Sequence, residues 1–170
     1  MTKKEQPVYQ VYAEADFVFT KVNGRASYLN CAPLKEFLHG QVAGGGRRLA
    51  FDFESCSSMD STFLGTIVGV ALELRKTDPP GSMALLGLGE RNFDVVRNLG
   101  IHRLVSVEAG ESAMSFEGVA KAIEANGDRA PVDEELIFEA HKRLSELNEK
   151  NARLFQDVVG FLEQHQDEED

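Results

Sequence analysis

The strand–helix–strand pattern between Leu49 and Leu88 constrains this chain more than any other feature of its sequence. From Asp60 to Lys76 the residues Leu64, Ile67, Val68, Ala71 and Leu74 recur at three- and four-residue steps, the apolar stripe of an amphipathic helix. A short apolar run lies on either side, Leu49–Phe53 before it and Met83–Leu88 after it. Polar Glu54–Ser58 bounds the first, and Asp78-Pro79-Pro80-Gly81 stops the helix ahead of the second. Both runs read as strands. Two parallel strands need a crossover between them, and a helix is what usually covers the sheet there.

The flanking segments extend the same alternation. Val8–Val22 is rich in Val, Phe and Tyr around Ala13-Glu14-Ala15-Asp16 and reads as an opening hairpin, the one antiparallel pair expected. Leu34, Phe37 and Leu38 place a helix over Ala32–Val42, which Gly44-Gly45-Gly46 ends. A short helix over Arg91–Leu99 closes at Gly100, and Leu104–Val107 is a fifth strand candidate. A further helix is expected over Ser112–Ala125, burying Met114, Phe116, Val119 and Ile123. The expected architecture is α/β, with a mixed, mostly parallel sheet of four to five strands covered by helices. Residues 1–125 form this domain, Asn126–Pro131 is a linker by composition, and residues 166–170 form an acidic tail.

Composition narrows the function. At 170 residues, with 42% hydrophobic side chains and 11 Phe, the chain has room for one ordinary core and an appendage. Its 18 basic and 28 acidic groups give a formal charge of -10, which repels nucleic-acid backbones and anionic membrane surfaces. Neither is an expected partner. No run approaches a membrane span or a signal peptide, so a cytoplasmic location is expected. Cys31 and Cys56 have no CxxC partner and read as reduced structural thiols, and the scattered His39, His102, His141 and His165 suggest no metal site. Gly87-Leu88-Gly89 lacks the third glycine of a dinucleotide loop, and Gly44–Gly46 lacks the Lys-Ser/Thr of a phosphate cradle. No cofactor is expected. No Gly-x-Ser-x-Gly elbow occurs and Ser61 has no histidine near it in sequence, so no enzyme is expected either.

The stretch from Ala50 to Gly65 is the most specific. Asp52 ends the strand, and after the loop Asp60-Ser61-Thr62-Phe63-Leu64-Gly65 opens the helix. This resembles the signature of STAS domains, the anti-sigma factor antagonist family, in which a strand-end Asp is followed by Asp-Ser-Ser/Thr-Gly-x-Gly. Asn23-Gly24-Arg25 and Val95–Ile101 are similar to the family's early strand-Gly-helix passage and its later helix-Gly turn, so the resemblance spans about residues 8–125. Phe63 stands where the family usually has Gly, and Ser27 where an acidic residue is common. Both departures point to an altered or more apolar docking surface.

The resemblance implies a phosphorylation-controlled binding switch. Ser61, less readily Thr62, would be phosphorylated by a serine kinase that is itself an anti-sigma factor and restored by a PP2C-type phosphatase. Asp60, Ser61, Thr62, Phe63, Asp52 and Gly24 would line the partner surface. A hydroxyl in the first turn of a helix sits among unpaired backbone N–H groups, where a phosphate gains about 0.3–1 kcal/mol from the helix dipole. The same phosphate adds about -1.5 to -2 charges beside Asp60 and opposes docking over it. The local alternative is that Asp60 and Ser61 merely cap the helix. A second functional reading is a non-switching STAS scaffold or an accessory subunit of a transporter or signalling assembly.

The last segment, 132–165, reads as one long helix. Ile137, Ala140, Leu144, Leu147, Asn151, Leu154, Val158 and Phe161 step by three and four, a heptad seam with Asn151 at an a position, where Asn sets register in parallel dimers. Homodimerisation through Ile137, Leu144, Leu147, Asn151, Leu154, Val158 and Phe161 is therefore expected. Leu136, Phe155 and Leu162 widen the stripe, leaving open that it folds back on its own domain or fills a partner's groove.

Overall fold

The computed structural model describes residues 6–109, 121–123 and 133–169. The expected linker 126–131 and most of the expected helix over 112–125, with Met114, Phe116 and Val119, lie outside these residues.

The central crossover forms as the periodicity predicts. Strand β4 (Arg48–Asp52) leads through helix α2 (Ser61–Arg75) to β6 (Ser82–Leu88), and the two strands pair in parallel from Arg48 opposite Ser82 to Asp52 opposite Leu86. The hairpin β1 (Tyr9–Glu14) and β2 (Phe17–Val22) opens the sheet, β2 lies parallel to β4, and β7 (Ser106–Ala109) lies parallel to β6. Helices α1 (Cys31–Ala43) and α3 (Glu90–Asn98) complete the alternation.

Among the described residues the main sheet nevertheless has six strands, in the order β7-β6-β4-β2-β1 followed by β8 (Lys121–Ile123). Its sixth strand, β8, runs antiparallel to β1 where the sequence suggested the end of a helix. The free edge of β1 supplies backbone partners to any extended segment beside it, and this pairing outweighs local helical spacing. The polar stretch before α2, expected as a loop, contains β5 (Cys56–Met59), paired in parallel with β3 (Gly24–Ala26) in a small second sheet.

The core lies between the sheet and its helices. Leu34, Leu38 and Val42 of α1 and Leu64, Ile67, Val68, Ala71 and Leu74 of α2 are buried, together with Tyr9, Phe51, Phe53 and Phe63. Cys31 and Cys56 are free, buried thiols, and desolvation pushes the pKa of each up to about 11.

The expected single helix over 132–165 is instead three: α4 (Glu134–Ser145), α5 (Glu149–Leu154) and α6 (Gln156–Glu169), the last running through the stretch expected as a tail. Asn148 adopts an extended conformation, φ -165° and ψ 167°, and its side chain caps α5 by accepting from the Asn151 amide at 2.8 Å. That cap ends the heptad seam. Asn151 is fully buried and donates to the carbonyls of Leu99 and Leu144 at 2.8 and 3.0 Å, so it ties α5 to the end of α3 and cannot specify a dimer register. Leu144 is likewise buried within the chain, and Leu147 packs on the core. Of the expected dimer seam, Leu154, Val158 and Phe161 remain exposed.

Candidate functional site

The site is built around the first turn of α2. Asp60 precedes the helix in extended backbone and uses both carboxylate oxygens. Oδ1 accepts from the Phe63 amide at 2.8 Å and closes the turn, while Oδ2 accepts from the Tyr28 amide at 2.8 Å. The second bond draws the loop Ser27–Asn30 against the helix start. Asn30 shapes that loop from below: its Oδ1 accepts from the Ser27 amide and the Tyr9 hydroxyl, and its Nδ2 donates to the Arg25 carbonyl. Tyr28 and Leu29 are thereby left as exposed apolar side chains beside the helix mouth.

Ser61 follows Asp60 as the first residue of α2 and is half-buried. Its Oγ lies 2.8 Å from Nε2 of His141 on α4. The other ring nitrogen, Nδ1, lies 2.7 Å from the Ile137 carbonyl oxygen, which can only accept, so Nδ1 carries a proton. In the neutral ring Nε2 is then the acceptor and the Ser61 hydroxyl donates to it. His141 is itself buried, its ring edge-on to Phe155 at a centroid distance of 5.3 Å.

Helix α4 reaches Ser61 because α2 has no side chain at Gly65. A Cβ there would lie 2.1 Å from the Ala140 carbonyl oxygen, so the two backbones touch at this point. Leu136, Ala140 and Leu144 form the buried face of α4. At its margin Lys35 of α1 pairs with Glu139 at 2.7 Å, and a cavity of about 380 Å³ lined by Lys35, Gly65, Thr66, Glu139 and Arg143 remains between α1, α2 and α4.

Only part of the expected partner surface is gathered here. Asp60 and Ser61 stand together at the helix mouth. Phe63, expected to make that surface more apolar, is fully buried, its ring stacked on Tyr9 at 6.2 Å and edge-on to Phe53 at 6.1 Å. The third residue of the helix faces the core, so this position fills a space in the interior. Thr62 is buried too, which removes it as an accessible alternative to Ser61. Asp52 is buried at the end of β4, where its Oδ1 accepts from the Glu54 amide at 2.9 Å and turns the chain. Gly24 is exposed at the start of β3 with φ +71°, a conformation that favours glycine, and its amide donates to the Ser55 carbonyl. Ser27 is buried, its hydroxyl accepting from the Leu29 amide at 3.3 Å, so it shapes the loop and offers nothing to a partner.

Sequence reasoning did not find His141, Tyr28 or Leu29. Gly65 was the available signal for His141, since a glycine inside a good helix costs about 1 kcal/mol and usually marks a close approach. Among the described residues no group of three or more His, Cys, Asp or Glu comes together as metal ligands would, and no helix is long and apolar enough to cross a membrane.

No protein-family model matches the chain, and no curated protein sequence matches it. Solved structures do. A protein of Thermotoga maritima described as an anti-sigma factor antagonist superimposes with a TM-score of 0.53 at 20% identity, over 59% of this chain and 85% of its own. The anti-sigma factor antagonist SpoIIAA in its unphosphorylated form gives 0.51 at 19% identity, over 58% of this chain and 86% of its own. The phosphorylated form of the Bacillus cell fate determinant SpoIIAA gives 0.50 at 19%, over 58% and 89%. The chain has the STAS fold of these antagonists.

Proposed function

We propose that the chain is a phosphorylation-controlled binding module that acts as an anti-sigma factor antagonist, with Ser61 as the switch. The observation that carries this reading is the position of Ser61. It is the first residue of a helix that Asp60 caps, and it stands beside an exposed apolar pair, Tyr28 and Leu29. Unmodified, the helix mouth and the Tyr28–Leu29 loop form a surface on which a serine-kinase anti-sigma factor docks. A phosphate at Ser61 adds about -1.5 to -2 charges next to the Asp60 carboxylate and makes burial under a partner costly. The helix dipole keeps the modified domain folded. A PP2C-type phosphatase would restore the binding form, and the cycle belongs to the cytoplasm.

Capping alone does not account for Ser61, because Asp60 performs the cap and leaves the Ser61 hydroxyl to His141. The Ser61–His141 pair has the spacing of a nucleophile and its base. Even so, it sits under α4, and neither the cavity between α1, α2 and α4 nor the shallower one beside it, lined by Lys35, Asp133 and Leu136, counts Ser61 or His141 in its wall. The binding reading is therefore preferred to hydrolysis.

A second reading, a STAS scaffold or accessory subunit that does not switch, is favoured by one observation: the Ser61 hydroxyl is already engaged inside the chain. The two separate on incubation with ATP and the serine kinases of the same cell, followed by mapping of phosphate by mass spectrometry. The switch requires modification at Ser61. Capture of the kinase by wild type and Ser61→Ala, and its loss in Ser61→Asp, completes the test, whereas equal capture by all three leaves the scaffold reading.

A further inference from the structure

We propose that α4 is a cover built into the chain for its own switch site: it closes over Ser61, and a charge on Ser61 and the seating of α4 exclude one another. This rests on the reading of Ser61 as the switch, and it adds what holds the site in the resting chain.

Three observations carry it. The Ser61 hydroxyl is used by α4, as it donates to Nε2 of a histidine whose other nitrogen is committed to the Ile137 carbonyl. The backbones of α2 and α4 meet at Gly65 and Ala140, one turn along from Ser61, so α4 lies over one side of the helix mouth and leaves the Tyr28–Leu29 side to a partner. The seat is also only partly sealed. Leu136, Ala140 and Leu144 are buried, but the margin toward α1 is an open cavity of about 380 Å³ crossed by the half-exposed Lys35–Glu139 pair, and exposed pairs of this kind contribute little. Leu136 and Leu144 belong to the main core, so lifting α4 exposes apolar surface and has to be driven by the group added at Ser61.

A phosphoryl group on the Ser61 oxygen has no room in the 2.8 Å gap to Nε2 of the buried His141 ring, and it brings negative charge beside the Asp60 carboxylate. The seated state loses its central hydrogen bond and must give way to the added group. By reciprocity, whatever lifts α4 makes Ser61 easier to modify by the same factor in the underlying equilibrium.

Hydrogen exchange read by mass spectrometry on the full chain tests this without a kinase. Ser61→Asp places a carboxylate at a helix start, where it favours α2 itself. Gly65→Ala leaves Ser61 unaltered, improves the intrinsic propensity of α2 and drives a methyl group into the Ala140 carbonyl. In both variants the amides of Glu134–Ser145 are expected to exchange at least tenfold faster than in wild type, while Arg48–Asp52 and Ser82–Leu88 keep their protection. Ser61→Ala, which removes the bond without adding charge, is expected to give a smaller increase. Unchanged or increased protection of α4 in Ser61→Asp, or unchanged protection in Gly65→Ala, overturns the proposal. If α4 lifts as expected but no kinase modifies Ser61, the cover stands and the switch falls. If Ser61 is modified and governs capture while α4 never lifts, the cover alone falls.

Discussion

Replacing Asp60 isolates how much of the helix mouth is architecture. Its Oδ1 bond to the Phe63 amide is an N-cap, and losing such a cap to Ala costs about 1 kcal/mol. The Oδ2 bond to the Tyr28 amide is charge-assisted, but Tyr28 is exposed and water takes over part of it, so its loss costs about 1 kcal/mol more. Removing a negative charge from the first turn adds about 0.3–1 kcal/mol. Asp60→Ala should therefore destabilise the domain by about 2–3 kcal/mol. Asp60→Asn keeps a capping oxygen for Phe63 but cannot both cap and accept from Tyr28, so it should cost about 1–2 kcal/mol. Urea unfolding followed by circular dichroism measures both, with the midpoint moving and the slope unchanged. A cost for Asp60→Ala below about 0.5 kcal/mol, or no gap between the two variants, refutes the assignment of the two oxygens to separate amides.

Three further outcomes follow from the same geometry. Asn151→Leu removes both side-chain donors from the Leu99 and Leu144 carbonyls and should loosen α5 by about 2 kcal/mol, seen as faster exchange over Glu149–Leu154; unchanged exchange would deny the latch. The buried Cys31 and Cys56 thiols titrate near 11 in the folded chain against 9.0 when free, so the neutral form is favoured by folding. Their contribution is complete below pH 9.0 and is lost as the pH rises toward about 11. The urea midpoint should fall over that window, less so in a Cys31→Ala, Cys56→Ala double variant, and a fast reaction of the native protein with a thiol reagent at pH 8 would contradict the burial. Finally, if the exposed Leu154, Val158 and Phe161 strip joins two copies, light scattering should show a dimer that becomes a monomer when all three are changed to Ser; a wild-type monomer ends that idea.

The parts legible in the sequence are those in which one physical demand dominates a continuous stretch. Helix α2 shows a clean stripe because one face meets the sheet, and Leu49–Phe51 of β4 and Met83–Leu88 of β6 read as apolar runs because both strands lie inside the sheet and carry buried side chains in two clusters. Strand β8 was not legible: three residues carry no period, and only the edge of β1 makes them a strand. The broken C-terminal helix misled for a different reason. Leu144, Leu147 and Asn151 all turn inward, but from α4, from the turn after it and from α5, so the three- and four-residue steps run across a break in helical structure. The capping residue Asn148 was visible throughout, and a local stop signal of that kind should outrank an uninterrupted seam. His141 lies 80 positions from Ser61, and no local pattern relates them. Phe63 was misplaced because the comparison with a family motif at that position offered a surface meaning, whereas the third residue of this helix points to the interior.

The grip on the start of α2 has a mechanical consequence. Outside, the Asp60 carboxylate fastens it to the Tyr28 amide; inside, the Phe63 ring is wedged between Tyr9 and Phe53. A turn clamped from both sides is an anvil: it gives nothing when struck at Ser61. Under the proposed switch, the work of a modification there passes outward into whatever rests on top, and a reporter in the sheet is expected to register silence while one on the overlying segment registers the blow.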